Sequence, residues 1–241
     1  MQYLPADPYT RSAAVYDTLM ADIDYAGWCE YITDLADHYG FPARSIFDIS
    51  CGTGTFLHLF PAKEKYGIDI SAAMIAVAKR SYPGIPFDTG NMLRPPRKGT
   101  DLYVNLHDSL NYIRDFADVR AHIAYMDRIL QAGQTYIFDF ALPAVMKRYF
   151  VNDSMEETTP AGISFRRENF YDEERRRAKT DLYIYFPGGG AFHEQHIEYI
   201  HDYGEIIKLS VEFPRRTFIF LEEFSFEEAR ESSNRILVIM Q

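Results

Sequence analysis

A glycine turn between an apolar strand and a helix start constrains the fold of this chain more than any other feature of its sequence. Residues 45–50 read S-I-F-D-I-S, a candidate buried strand, and residues 51–54 read C-G-T-G before the apolar Phe56 and Leu57. Glycines at such a turn let the backbone approach a ligand and leave the N–H groups of the helix start free. The segment predicts a ligand site at the end of a strand, although an isolated G-x-G also suits a tight turn that binds nothing.

The same order of strand and helix repeats along the first 140 residues. Residues 66–70 read as a second strand that runs into Ser71, a good helix N-cap, and residues 72–80 are good helix formers that stop before Pro83. Three more strand candidates follow, at residues 85–87, 102–106 and 134–140. This alternation predicts an α/β fold in which a parallel sheet carries helices on both faces.

The pattern changes after the fifth strand candidate. Residues 143–201 contain alternating, strand-like segments that are broken by P-G-G-G at residues 187–190, and they predict an antiparallel β insertion. A helix is expected to begin near Asp202. Apolar strands at residues 217–221 and 235–240 would then complete a sheet of seven strands.

Length and composition favour one globular domain over residues 1–241, because 47% of the residues are hydrophobic and 15% are aromatic. No run reaches the roughly 20 apolar residues of a membrane helix, and the first residues lack a signal sequence, so we expect a cytoplasmic protein without membrane contact. The only cysteines are Cys29 and Cys51, which indicates neither a disulfide framework nor a metal site.

The net charge of −10 makes non-specific nucleic-acid binding unfavourable. The insertion contains three histidines, His193, His196 and His201. They lack a metal-ligand spacing, so we expect no metal. The expected partner is a small-molecule substrate. The oligomeric state stays open, with a homodimer among the alternatives.

An acidic residue ends the second strand. Asp69 lies about 20 residues after the glycine turn, where a carboxylate in a nucleotide-binding α/β fold accepts protons from both ribose hydroxyls. The alternative is that Asp69 caps the helix that begins at Ser71. A dinucleotide fold would place a third glycine where Leu57 stands, and the chain also lacks a Y-x-x-x-K sequence. An NAD-dependent oxidoreductase is therefore the alternative function.

The turn D-I-S-C-G-T-G at residues 48–54 resembles motif I of class I S-adenosylmethionine-dependent methyltransferases. G-I-D-I-S-A-A-M at residues 67–74 resembles the second motif of the family, in which the acid binds the ribose and apolar residues flank the adenine. Asn91-Met92 stands where the family has Asp and an apolar residue that read the adenine amino group. Ser50 and Asn91 depart from the family pattern, and they leave open a module that binds the cofactor without catalysis.

The resemblance extends beyond these motifs. D-S-L-N-Y at residues 108–112 is similar to the sequence after the fourth strand in one group of small methyltransferases, and V-Y-D-T-L-M at residues 15–20 is similar to that group's opening helices. The resemblance implies a Rossmann-like sheet, cofactor-covering helices in residues 1–40 and a substrate lid in residues 143–201. It is thinnest through the insertion.

The resemblance and the residue chemistry together give candidate site residues. The candidates for S-adenosylmethionine binding are Tyr16, Trp28, Asp48, Ser50, Cys51, Gly52, Gly54, Asp69, Ile70, Met74, Asn91, Met92, Leu106 and His107. The end of the fourth strand faces the crevice of such a sheet, which makes His107, Asp108 and Asn111 candidates for catalysis. His107 would act as a general base or pack in the core, and Asp108 would bind substrate or cap a helix. The sequence does not distinguish N, O, S or C as the methyl acceptor.

Overall fold

Two sheets of different construction organise the chain. The computed structural model describes residues 3–151 and 153–241. The strands in chain order are β1 (Leu4–Ala6), β2 (Ser45–Asp48), β3 (Glu64–Asp69), β4 (Phe87–Thr89), β5 (Leu102–Asn105), β6 (Thr135–Ala141), β7 (Asp153–Thr158), β8 (Ser164–Asp172), β9 (Arg177–Tyr185), β10 (Ala191–Tyr199), β11 (Phe218–Glu222) and β12 (Arg235–Met240).

The helices connect these strands. They are α1 (Tyr16–Leu19), α2 (Tyr25–Tyr39), α3 (Thr55–Leu59), α4 (Ala72–Ser81), α5 (Phe116–Ile129), α6 (Pro143–Tyr149), α7 (Tyr203–Ile207) and α8 (Leu209–Glu212), with 3₁₀ turns at Ser12–Ala14 and Ser109–Tyr112. Local sequence explains several boundaries. Ser71 caps α4 by accepting a hydrogen bond from the Met74 N–H, and Gly40 ends α2 in the left-handed conformation.

The larger sheet has seven strands in the order β11-β12-β6-β5-β2-β3-β4. Strands β2 to β6 are parallel to one another, whereas β12 is antiparallel to both β6 and β11. The chain first moves outward from β2 to β4 and then returns to the other side of β2 as β5. Ligands of open α/β sheets bind where the strand order reverses, which here is the carboxyl end of β2 and β5.

Helices cover both faces of this sheet. Consecutive residues of β2 point to opposite sides, so that Ile46 joins the core beneath α2 and α3 while Phe47 joins the core beneath α5. On α5, the apolar residues Val119, Ile123 and Met126 lie on one face of the helix and are fully buried. The seven-stranded sheet with helices on both faces is thereby confirmed.

The smaller sheet has the order β1-β10-β9-β8-β7. Strands β7 to β10 are antiparallel and lie between β6 and β11 in the chain, as the insertion predicted from the sequence does. β1 joins the same sheet by pairing parallel to β10, although the first 40 residues were expected to contribute only helices. Within the described residues, no helix is both long and apolar enough to span a bilayer.

The glycine turn should tolerate no side chain at Gly54. This residue has φ of 84°, and a Cβ on it would lie 2.6 Å from the Phe87 ring. We expect Gly54→Ala to lower the free energy of unfolding by about 2–4 kcal/mol, because left-handed backbone strain adds to overpacking. Urea denaturation measures this quantity.

Gly84 provides the matched control for that substitution. A Cβ on Gly84 would meet nothing within 4 Å, and its φ is not positive. Gly84→Ala should change the free energy of unfolding by less than about 1 kcal/mol. Equal losses in the two variants would contradict the assigned role of Gly54.

Candidate active site

A cavity of about 570 Å³ opens at the carboxyl ends of β2, β3 and β5. Loops from these strands form its floor, and the N-terminal segment covers it. Most of the residues that the sequence predicted for the site line this cavity. They are Tyr16, Asp48, Ser50, Cys51, Gly52, Asp69, Ile70, Met74, Asn91, Met92, Leu106 and His107.

Two carboxylates hold the glycine turn at the floor of the cavity. Asp69 accepts hydrogen bonds from the N–H groups of Gly52, at 3.0 Å, and Ser71, at 2.8 Å. Asp48 accepts one from the N–H of Ser50 at 3.0 Å. Burial raises the pKa of Asp48 to about 7 and also raises the pKa of Asp69. Negative charge at this place is therefore costly unless a cationic ligand lies beside it.

A strained turn follows β5. His107 and Asp108 both have left-handed backbones, with φ of 59° and 63°. Their N–H groups donate to the buried Asp139 carboxylate at 3.0 and 2.9 Å. Left-handed backbone costs roughly 1–2 kcal/mol for each non-glycine residue, so these two charge-assisted hydrogen bonds offset the strain.

Arg235 of β12 completes the support of this turn. Its guanidinium contacts the Asp108 carboxylate, lies 3.1 Å from Asp139 Oδ2 and lies 3.0 Å from Glu223 Oε1. The Asp108 side chain therefore points to β12, and Asp108 is not among the residues that line the cavity. In this structure the carboxylate contacts Arg235, and the catalytic role predicted for Asp108 stays a prediction.

Asn111 also lies outside the cavity lining. Its side-chain oxygen accepts from the Ala141 N–H at 2.9 Å, and its amide nitrogen donates to the carbonyls of Ala141 and Tyr199 at 3.3 and 3.0 Å. The fully buried amide thus joins the 3₁₀ turn at residues 109–112 to β6 and β10. Both donated hydrogen bonds go to these strands, and the oxygen accepts one of the two hydrogen bonds that it can accept. The catalytic role predicted for Asn111 stays a prediction.

The ring of His107 forms an aromatic wall with α2. Its centroid lies 5.3 Å from that of Tyr25 and 5.0 Å from that of Trp28, and Nε2 has no hydrogen-bond partner among the described residues. Burial, and then the charge of Arg235, lowers the pKa of His107 to about 3. The imidazole is therefore neutral at physiological pH, and so weak a base takes up no proton there.

Trp28 and Gly54 are the remaining predicted residues that do not line the cavity. Trp28 is buried behind His107 and packs 5.0 Å from the Phe224 ring. Gly54, the last residue of the glycine turn, is the N-cap of α3. On the adenine side of the predicted site, the Asn91 side-chain oxygen accepts from the Leu93 N–H at 2.8 Å.

The sequence interpretation missed several polar residues of the cavity. Tyr9, Tyr25, Ser109 and Tyr112 line it together with Tyr16. Tyr112 belongs to the D-S-L-N-Y segment, which was the available signal for it, whereas Tyr9 reaches the cavity only because β1 pairs with β10. Within residues 3–151 and 153–241, no group of three or more His, Cys, Asp and Glu side chains is placed to hold a metal ion.

The low pKa of His107 should appear as a pH dependence of stability. The pKa of His107 is about 3 in the folded chain and 6.5 in the unfolded chain. At pH values between these two, the unfolded chain binds more protons than the folded chain, so this residue destabilises the fold as the pH falls. We expect the free energy of unfolding of His107→Gln to rise by about 2 kcal/mol relative to that of the wild type when the pH is lowered from about 7.5 to about 5. Urea denaturation at both pH values tests this, and parallel curves would show that His107 protonates normally in the fold.

Known proteins resemble this chain in sequence. A family model described as a methyltransferase domain matches residues 46–133, which contain the glycine turn, Asp69 and His107. A protein of Geobacillus sp. (strain WCH70) with a provisional methyltransferase name is 25% identical over 96% of this chain and 98% of its own length. The dTDP-3-amino-3,4,6-trideoxy-alpha-D-glucopyranose N,N-dimethyltransferase of Streptomyces venezuelae is 29% identical over 53% of this chain and 56% of its own length.

Solved structures share the fold. An S-adenosylmethionine-dependent methyltransferase from Clostridium acetobutylicum superposes with a TM-score of 0.78 at 19% identity, over 96% of this chain and 97% of that one. The sugar N-methyltransferase KedS8 from Streptoalloteichus has a TM-score of 0.73 at 18% identity, over 93% and 92%. S-adenosylmethionine, the cofactor predicted from the sequence, is confirmed, and the NAD-dependent alternative is set aside. The domain match, the cavity at the switch point and this fold together identify the chain as an S-adenosylmethionine-dependent methyltransferase with the class I fold.

Proposed function

We propose that the chain methylates an amino group of a small-molecule acceptor. The observation that carries this proposal is the acidic and aromatic lining of the cavity. Three carboxylates, Asp48, Asp69 and Asp118, and four tyrosines line it, against the single guanidinium of Arg114. Such a lining favours an amine as the acceptor group in the cavity over an anionic group. The names of two similar proteins, from Streptomyces venezuelae and Streptoalloteichus, also describe methylation of sugar nitrogens.

The residues at the floor fit S-adenosylmethionine. Both Asp69 oxygens bind backbone N–H groups and retain lone pairs for ribose hydroxyls. We assign the adenine to the side of Ile70, Asn91 and Met92, and the reactive end to the side of Leu106 and His107. When bound, the cofactor supplies a methyl group activated on a sulfonium, so the protein has to orient a nucleophile and exclude water.

The cover of the cavity supports the proposal that the insertion is a substrate lid. Pro8 and Tyr9 line the cavity and follow β1, which pairs with β10 of the insertion. Thr53 of the glycine turn donates a hydrogen bond to Asp17 of α1 at 2.6 Å. The lid and the cofactor-covering helices are thus joined to each other and to the floor. We also place the chain with the methyltransferases that carry D-S-L-N-Y after the fourth strand.

Cofactor affinity should depend on the Asp69 carboxylate. We expect Asp69→Ala to weaken binding of S-adenosylhomocysteine by about 10- to 100-fold, because hydrogen bonds to a charged group contribute roughly 1.5–3 kcal/mol. Titration calorimetry gives the dissociation constants. Glu64→Gln, at the exposed start of the same strand, is the control and should bind like the wild type. A change of less than about twofold for Asp69→Ala would show that the ribose binds elsewhere.

The acceptor class can be tested with matched pairs of small molecules. The purified chain is incubated with S-adenosylmethionine and either dTDP-amino sugars or their hydroxyl counterparts, and mass spectrometry detects the added methyl group. We expect methylation of the amines alone, because a neutral amine attacks with its lone pair, whereas a hydroxyl has to lose its proton to become a comparable nucleophile. Methylation of the hydroxyl counterparts alone would contradict the amine proposal.

A further inference from the structure

Four side chains form a line from the cavity into the smaller sheet. The hydroxyl oxygens of Tyr9 and Tyr112, which line the cavity, are 2.5 Å apart. The Tyr112 hydroxyl lies 3.4 Å from Nδ1 of His196. Nε2 of His196 lies 3.3 Å from Oε2 of Glu194, within ion-pairing distance but without hydrogen-bond alignment. Both residues of β10 are buried, so the line leads away from solvent.

Glu194 is a fixed anion at the inner end of this line. It is fully buried and accepts hydrogen bonds from the Ser12 hydroxyl at 2.6 Å and from the N–H groups of Tyr9, Arg11 and Ser12. Burial alone would raise the pKa of Glu194, but His196 and these hydrogen bonds outweigh it and lower the pKa to about 2. Glu194 therefore presents an ionised carboxylate to Nε2 of His196, at 3.3 Å.

Amine methylation releases a proton that the site has to remove. The acceptor nitrogen forms the N–C bond with its lone pair, the electrons of the S–C bond stay on sulfur, and the nitrogen then loses one proton. We propose that Tyr9, Tyr112, His196 and Glu194 form the path that takes up this proton, an inference that rests on the proposed function. The nitrogen donates its proton to the Tyr9 oxygen, Tyr9 donates its own to Tyr112, and Tyr112 protonates Nδ1 of His196.

The end state of this path is balanced in charge. His196 becomes an imidazolium beside the Glu194 carboxylate, and both tyrosines are again neutral. Tyr9 and Tyr112 are the catalytic residues in this scheme, because they line the cavity and would contact the acceptor. His196 and Glu194 act through them, as an imidazole held by a carboxylate does in many proton transfers.

Two other groups near the cavity are less suited to take the proton. Glu198 lies two residues from His196, and burial raises its pKa to about 7. Its buried Oε2 has no hydrogen-bond partner among the described residues, and of these two residues only His196 is hydrogen-bonded to the tyrosine pair. His107 has no such partner at Nε2 either, and its pKa is about 3. The other titratable groups whose charge acts on the tyrosine pair are Tyr16 of α1, Asp69 of β3, and Glu194 and Glu198 of β10.

The hydrogen-bonded line can be tested without any acceptor. In the full chain with ¹⁵N-labelled histidine and bound S-adenosylhomocysteine, NMR of the ring nitrogens reports the tautomer, and His196→Gln assigns the resonance. We expect the neutral His196 ring to carry its proton on Nε2, and Tyr112→Phe to shift the Nδ1 resonance. A proton on Nδ1 of the neutral ring, or no shift in Tyr112→Phe, would overturn the proposed path.

The pH dependence of turnover tests the proton transfer. With dTDP-3-amino-3,4,6-trideoxyglucose as the probe, Tyr112→Phe and His196→Gln should lower kcat by about tenfold or more near pH 7 and recover as the pH rises to about 9, because hydroxide replaces the path. The KM for S-adenosylmethionine should not change. Losses that are equal at every pH would show a packing role and overturn the proposal.

Glu198→Gln is the matched control on the same face of β10. It should keep the pH profile of the wild type, and a loss in this variant but not in His196→Gln would assign the proton to Glu198. If the wild type methylates no amine yet binds S-adenosylhomocysteine, the proposed acceptor class fails. The NMR measurement then decides the hydrogen-bonded line by itself, so the two failures are distinguishable.

Discussion

Aspartate carboxylates at or near the carboxyl ends of three parallel strands hold the loops on which the site depends. Asp48 of β2 accepts from Ser50, Asp69 of β3 accepts from Gly52 and Ser71, and Asp139 of β6 accepts from the two residues of the strained turn after β5. Loop N–H groups beside a cavity would otherwise lack partners, and each unpaired buried group costs roughly 1–3 kcal/mol. The aspartates therefore fix the loop backbones while the cavity between them stays open.

The three carboxylates differ in how their charge is balanced. Asp139 lies 3.1 Å from the Arg235 guanidinium, which makes its site a structural ion pair. Asp48 and Asp69 have no salt bridge within the described residues. Burial raises the pKa of all three carboxylates. A cationic ligand would relieve this cost, since an opposite charge stabilises the ionised form. The ribose hydroxyls that the proposed binding mode brings to Asp69 would also stabilise its ionised form, because they donate hydrogen bonds to it.

The sequence predicted the features of the site that depend on short stretches of chain. Periodicity and glycine placement predicted the succession of strands and helices along the chain and the turn at residues 51–54, because both follow from local backbone preferences. The left-handed pair His107 and Asp108 escaped prediction, because Asp139 and the Arg235 ion pairs, 31 to 128 residues away in the chain, impose it. For the same reason Asn111 was placed near the methyl group, whereas pairing with β6 and β10 turns its amide away from the cavity.

The N-terminal segment couples the two sheets, and this explains why the acceptor side was the hardest part to predict. β1 pairs with β10, Glu194 of β10 binds the backbone around Ser12, and the Ser71 hydroxyl donates to the Tyr9 carbonyl at 2.7 Å. Tyr9 is thus held from both sheets at once, between the end of β3 and the insertion. The contacts that cover the cofactor cavity also bring Tyr9 within hydrogen-bonding distance of Tyr112. The cover of the cavity and the tyrosine pair therefore depend on the same few residues of the N-terminal segment, so a change that displaces this segment would affect both.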